Sequence, residues 1–329
     1  MRKIILVFIL IFVQIGTIQA QNRVDEFISL GLPEDKLLDT LINVSFSLIR
    51  NNPQEALELS LEANRLAIKI KDDNLEVKTY YYIANSYFYL EDFEKSINTF
   101  YKGIDIAKKK NQEFFLGILY NKLGWTFYTL NNYKTAYKYF VEGLKYADST
   151  ILPHIYHDIA ANYQVQGSYD SCIYYYMKAY DITSKSNDIS LQLSILNNLG
   201  TLYISTNDFE KGENYIKKSV EVYEKSNNIQ GYIASLNNLG VAYKKLGNID
   251  SAVYCYNQSL ILSNKKNITS GINNALVNLG NLEIELGKFN EAELKLKKAL
   301  LLSEKLDDSY IITECLIGFS ELNIGRNKK

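Results

Sequence analysis

Asn197-Asn198-Leu199-Gly200, Asn237-Asn238-Leu239-Gly240 and Val277-Asn278-Leu279-Gly280 return at intervals of 40 residues. Self-similarity at a fixed period of this length marks a repeat array. Followed backwards, the same step reaches Leu123-Gly124 and Ile83-Ala84. Ala160 follows Gly124 after only 36 residues, which we read as a short connector from Asp148 to Pro153. Six units align in this register.

Each unit reads as two helices. In the first, apolar residues stand four and one before the small residue and three after it, as in Leu196, Leu199, Gly200 and Tyr203, which places them on one helical face. The small residue lets a partner helix approach closely. A turn follows, and Asp92, Asn132, Ser168, Asp208 and Asn248 then occupy equivalent places. Each of these types can accept a hydrogen bond from the first turn of a second helix; Lys288 breaks the set. An aromatic or apolar residue comes next (Phe93, Tyr133, Tyr169, Phe209, Ile249, Phe289). Small residues recur later at Ser96, Ala136, Cys172, Gly212, Ala252 and Ala292, and again at Gly103, Gly143, Ala179, Ser219, Ser259 and Ala299.

These helix pairs, with Leu-Gly, Tyr three residues on and paired small residues in the second helix, resemble the tetratricopeptide repeat (TPR) family. The 40-residue length is similar to the arrays of kinesin light chains and of bacterial sensors and quorum regulators. A seventh hairpin is expected at Asp39–Arg50 and Pro53–Lys71, with Ala56 and Ala63 at the small places, and a closing half-repeat at 310–324. The resemblance implies an all-α solenoid of antiparallel helical hairpins stacked in a right-handed superhelix. It implies one array over residues 21–329, with no catalytic machinery and a protein or peptide partner. A lone hairpin cannot bury its apolar faces, so neighbours must stack and the ends need caps; the closing half-repeat is one such cap. The alternative is a sensory or regulatory module that acts on a kinase or transcription factor, either as part of a longer protein or through a separate partner.

Residues 1–20 carry Arg2 and Lys3, an apolar run from Ile4 to Val13, and Ile18-Gln19-Ala20 before Gln21. This is the pattern of a cleavable signal peptide, and it points to a periplasmic or secreted chain without membrane insertion after cleavage. The net charge is -1, so no cationic excess favours nucleic acid. Lys108 to Lys110 fall at a helix end, where the helix dipole favours positive charge. Cys172, Cys255 and Cys315 lie in different hairpins and read as small core residues rather than a disulfide framework.

No phosphate loop, nucleophile elbow or zinc-helix motif occurs, so neither enzymatic activity nor a cofactor is expected. His154 and His157 share a helical face beside Asp158. They offer half of a metal site or polar lining of a groove, and with no third ligand nameable, no metal site is assigned.

In TPR arrays the first helices line a concave surface. The residues six and three before, and one and four after, the small residue share one stripe. Reading them along the chain yields Lys78, Tyr81, Asn85 and Phe88; Ile118, Asn121, Trp125 and Tyr128; and His154, His157, Ala161 and Gln164. The later hairpins yield Ser194, Asn197, Thr201 and Ile204; Ala234, Asn237, Val241 and Lys244; and Asn274, Val277, Asn281 and Ile284. Aromatic residues supply anchors, and asparagine amides both donate and accept, which suits the backbone of an extended peptide. The expected peptide-binding set is therefore Tyr81, Asn85, Phe88, Asn121, Trp125, Tyr128, His154, His157, Asn197, Asn237, Lys244 and Asn281. Self-association is the other partner class that the repeat allows.

Overall fold

The computed structural model describes residues 31–186, 188–226 and 228–327, together with Phe27 and Ser29. The expected signal peptide lies outside the described residues. Fifteen α-helices and no strand occur among the described residues. They are α1 (Glu34–Leu48), α2 (Pro53–Ile70), α3 (Asp73–Tyr89), α4 (Phe93–Lys109), α5 (Glu113–Thr129), α6 (Tyr133–Leu144), α7 (Leu152–Val165) and α8 (Tyr169–Thr183). They continue with α9 (Ile189–Ser205), α10 (Phe209–Lys225), α11 (Ile229–Lys245), α12 (Ile249–Lys266), α13 (Thr269–Glu285), α14 (Phe289–Leu306) and α15 (Ser309–Asn327). The chain divides into two compact units, one ending at Tyr175 and the other starting at Tyr176, within α8.

Local chemistry sets the helix boundaries. Asp92, Asn132, Asp208 and Asn248 accept hydrogen bonds from the backbone N–H three residues on, which satisfies an otherwise orphaned donor of the second helix. Lys288 makes no side-chain cap. Asn52, Asp72, Asp188 and Asn228 cap further helices in the same way. The residue before the second-helix cap is left-handed each time: Glu91, Asn131, Gly167, Asn207, Gly247 and Gly287 have φ between 58° and 76°. The next N–H then reaches back to close the first helix, as in Asn248 N to Tyr243 O at 2.8 Å and Asp208 N to Tyr203 O at 2.8 Å. Glycine or asparagine dominates this place because both tolerate positive φ.

The repeated small residue is a socket for a large residue of the second helix. A Cβ on Gly124 would stand 2.6 Å from the Phe140 ring; on Gly200, 2.3 Å from Ile216; on Gly240, 2.4 Å from the Tyr256 ring. All three knobs are buried. Helices of one hairpin can therefore press backbone close to backbone, and the buried apolar side chains of successive hairpins form the core. In the first unit Leu38, Leu41 and Ile42 of α1 pack with Ala56, Leu59 and Ala63 of α2. In the second, Ala252 and Tyr256 pack with Leu279 and Leu282.

Three boundaries differ from the sequence reading. The first hairpin begins at Glu34 rather than Asp39, because Leu38 joins the core. The last helix is longer than expected, reaching Asn327. The 36-residue step does not come from a short connector. Helix α6 has 12 residues and α7 has 14, against 17 in α4 and α5, so the flanking helices carry the shortening. The link between α6 and α7 is instead held by Asp148, whose Oδ1 accepts from Thr150 N, Thr150 Oγ1 and Ile151 N at 2.6 to 3.1 Å. Those bonds, the Thr150 hydroxyl's first, lower its pKa below the usual aspartate value. The three cysteines are buried, and loss of water pushes Cys172 up to about 12 and Cys255 and Cys315 up to about 11, as inert core thiols behave.

One core position breaks the apolar rule. Asn273 is buried with neither end of its amide paired, where the equivalent residues of other hairpins are Val77, Leu193 and Ile233. A buried amide without partners keeps its desolvation cost. Asn273→Leu is therefore expected to raise stability by about 1–2 kcal/mol, seen in urea unfolding as a higher midpoint with an unchanged slope.

Candidate protein-binding surface

In the first unit, the first-helix stripe leaves its aromatic members part-exposed. Trp125 and Tyr128, one turn apart on α5, stack at 4.7 Å with their planes 15° apart. Both rings pack against the buried cluster of Ala136, Phe140, Ile155 and Ile159, so the stack is held from beneath. Tyr133 closes edge-on against Tyr128 at 5.6 Å. Burial, then Tyr133 and Asp158, raise the Tyr128 pKa. Beside the stack Asp158 is nearly covered: Asn121 Nδ2 donates to Oδ2 at 3.0 Å and His157 Nδ1 lies 3.1 Å from Oδ1. On α3, Tyr81 meets Tyr82 edge-on at 5.1 Å and Phe88 meets Phe93 at 5.6 Å. The Asn85 amide donates to Tyr81 O in its own helix at 2.7 Å. His154 is half-buried on α7.

The asparagines three before the small residue do not form the expected ladder. Asn121 is 2 % exposed and Asn237 is 4 % exposed. Asn121 bridges to Asp158, while Asn237 donates to Ser259 Oγ at 2.6 Å and to Ile233 O at 3.3 Å. Asn197 is part-buried and accepts from Ser235 Oγ at 3.2 Å. This offset points into the seam between neighbouring helices rather than out of the array. Asn121 and Asn237 are therefore structural polar groups and leave the binding set, and Asn197 is held within the same kind of seam. Of the remaining members, Lys244 pairs with Glu285 at 2.7 Å, and Asn281 Oδ1 faces Gly318, where an added Cβ would come within 2.8 Å. What stays outward on the stripe are the residues at the other offsets: Asn85, Phe88, Trp125, Tyr128 and His154 in the first unit. No cluster of three or more metal-ligating side chains occurs among the described residues. Among the same residues no helix is long and apolar enough to cross a membrane.

Family models described as tetratricopeptide repeat match residues 77–110, 118–150, 152–225, 191–264 and 274–306, most of the described array. The chain belongs to the tetratricopeptide repeat family. A 141-residue stretch of this TPR chain is 27% identical to response regulator aspartate phosphatase E of Bacillus subtilis, covering 41% of this chain and 37% of that protein. A Pyrococcus horikoshii signal transduction ATPase with numerous domains, carrying a tetratricopeptide repeat sensor, superposes with a TM-score of 0.69 at 19% identity over 89% of this chain and 48% of that one. A Rap protein complexed with Competence and Sporulation Factor superposes with a TM-score of 0.59 at 15% identity, covering 90% and 85%. The chain thus spans less than half the length of the curated relative and of the ATPase.

Asp158 is the member of this TPR surface that the stripe omitted. It stands two before the small residue, where Asn198, Asn238 and Asn278 sit in later hairpins. The signal was its difference in type: a carboxylate where the three later repeats carry an amide and the two earlier ones carry Tyr82 and Lys122.

Proposed function

We propose that this TPR array is an extracytoplasmic adaptor that binds a polypeptide segment on the first-helix surface of its first unit, and that it acts by binding rather than catalysis. TPR arrays serve as protein-interaction scaffolds, and the Rap structure above is of a complex. The observation that carries the assignment to this surface is the Trp125–Tyr128 stack, part-exposed and held from below. Rigid aromatic faces of this kind supply contact area at small entropic cost, which is why such residues dominate binding hot spots. Asp158 adds one negative charge at the edge of the stack, so a segment with a cationic or hydrogen-bond-donating group beside an apolar anchor matches it.

The leader-like pattern of residues 1–20 supports the compartment. Intact-mass analysis of protein recovered from the cell envelope or medium is expected to find a chain beginning at Gln21. A chain retaining Met1 in the membrane fraction would remove the extracytoplasmic part of the reading.

A second reading, a sensor module that passes binding on to an effector, is favoured by the likeness to the ATPase whose TPR portion is named a sensor. The two readings share the same binding surface and differ in what the bound state controls.

A further inference from the structure

We propose that the outward stripe of α12 and α14 is a lipid-facing surface, by which the second unit rests on an anionic bilayer without crossing it. The carrying observation is a change of residue type within the repeat. Counted from the first small residue of each second helix, the places two, six, nine and thirteen later share one helical face. Nine later, the preceding hairpins carry Arg65, Asp105, Lys145, Asp181 and Glu221, whereas α12 and α14 carry Ile261 and Leu301. Two later, Asn214 of α10 gives way to Tyr254 and Leu294. All four replacements are exposed: Tyr254 by 64%, Ile261 by 57%, Leu294 by 71% and Leu301 by 55%. Single exposed apolar residues are ordinary on a protein surface, but four at matched places of adjacent hairpins are not. Nor is this an effect of the chain end. The α13–α14 hairpin follows α12 and leaves Tyr254 and Ile261 uncovered.

The same replacements change the charge. Lysine stands thirteen later in these hairpins as Lys109, Lys185, Lys265 and Lys305. Where the place four before it is acidic the lysine is neutralised: Lys109 pairs with Asp105 at 2.6 Å and Lys185 with Asp181 at 2.8 Å. Ile261 and Leu301 take that carboxylate away from Lys265 and Lys305, and Lys298 has Leu294 at the same distance. The stripe therefore reads Tyr254, Gln258, Ile261, Lys265 on α12 and Leu294, Lys298, Leu301, Lys305 on α14, with cations and no acid. An anionic lipid surface matches it. Apolar side chains enter the boundary between headgroups and acyl chains, while lysine stems extend to the phosphates. A protein partner fits less well, because the buried centre of a protein interface is depleted in lysine.

The test is vesicle flotation of the purified chain from Gln21 onwards, which keeps every described helix. It is expected to bind vesicles of phosphatidylglycerol mixed with phosphatidylcholine, to ignore phosphatidylcholine alone, and to be released by high salt. Each lysine held near an anionic surface contributes about fivefold, so K298Q combined with K305Q is expected to weaken partition about 25-fold. I261D combined with L301D restores the pairing seen at Asp105 and Asp181, and is expected to abolish binding with unchanged circular dichroism. The three native cysteines are buried, so L294C can carry an environment-sensitive dye whose emission should shift to the blue on anionic vesicles. A wild-type chain that fails to bind anionic vesicles at low salt overturns the proposal, as does equal binding to phosphatidylcholine or binding that survives I261D with L301D. A chain that ignores vesicles but forms a dimer dissociated by that double variant would give the stripe to a second copy and overturn it equally.

Discussion

Phe140→Ala is expected to destabilise the protein by about 3–5 kcal/mol, the usual range for removing a buried phenylalanine and leaving a cavity. Phe140 is fully buried, and its ring fills the space that Gly124 leaves open across the α5–α6 hairpin. It also packs with Ala136, Ile155 and Ile159, so the cavity would open at the joint between two hairpins rather than inside one. In an array whose units contact chiefly their neighbours, such a loss weakens the interface on which cooperativity depends. Chemical denaturation should therefore show a lower midpoint and a shallower or split transition, read by the fluorescence of neighbouring Trp125 against circular dichroism for the whole chain. Superimposable curves with an unchanged midpoint would mean that the knob-and-socket account of the repeat is wrong.

Trp125→Ala is expected to cost about 2 kcal/mol or more of binding free energy if the tryptophan is a central contact, close to a thirtyfold loss of affinity. The indole lies on Tyr128 and is only partly covered, so truncation removes contact area without opening the core as Phe140→Ala does. Folding should survive, and circular dichroism can establish that before binding is measured. Asp158→Asn separates a second contribution. It retains the shape and the bond from Asn121 while removing the charge, so a partner with a cationic group should weaken and a neutral one should not.

Much of the fold could be read from the sequence because its determinants are local. Asp92, Asn132, Asp208 and Asn248 cap helices through the N–H three residues on, and the 40-residue echo of Leu-Gly fixes which helix faces which. The binding surface was legible only in part. Helical periodicity placed Asn121, Asn237 and Trp125 on one stripe. A stripe spans enough of the helix surface for one edge to face the next hairpin while the other faces water. Which edge is covered depends on the packing angle between hairpins, a tertiary quantity with no local signature. Hence the asparagines three before the small residue fell into the seam and the residues one and four after it stayed outward. The shortened α6 has a related reason: its sequence remains helix-compatible, and the link that follows it is held by Asp148 through hydrogen bonds from Thr150 and Ile151 that a periodic pattern does not register.

The most direct test of the binding surface uses the fact that Trp125 is the protein's only tryptophan. A peptide selected against the purified chain from a displayed random library would be titrated while the indole emission and its quenching by iodide are followed. Binding at the Trp125–Tyr128 stack predicts a blue shift, protection from iodide, and affinity weakened about thirtyfold in Trp125→Ala. Tight binding that leaves both the emission and the affinity of Trp125→Ala unchanged would place the peptide on another surface and contradict the account.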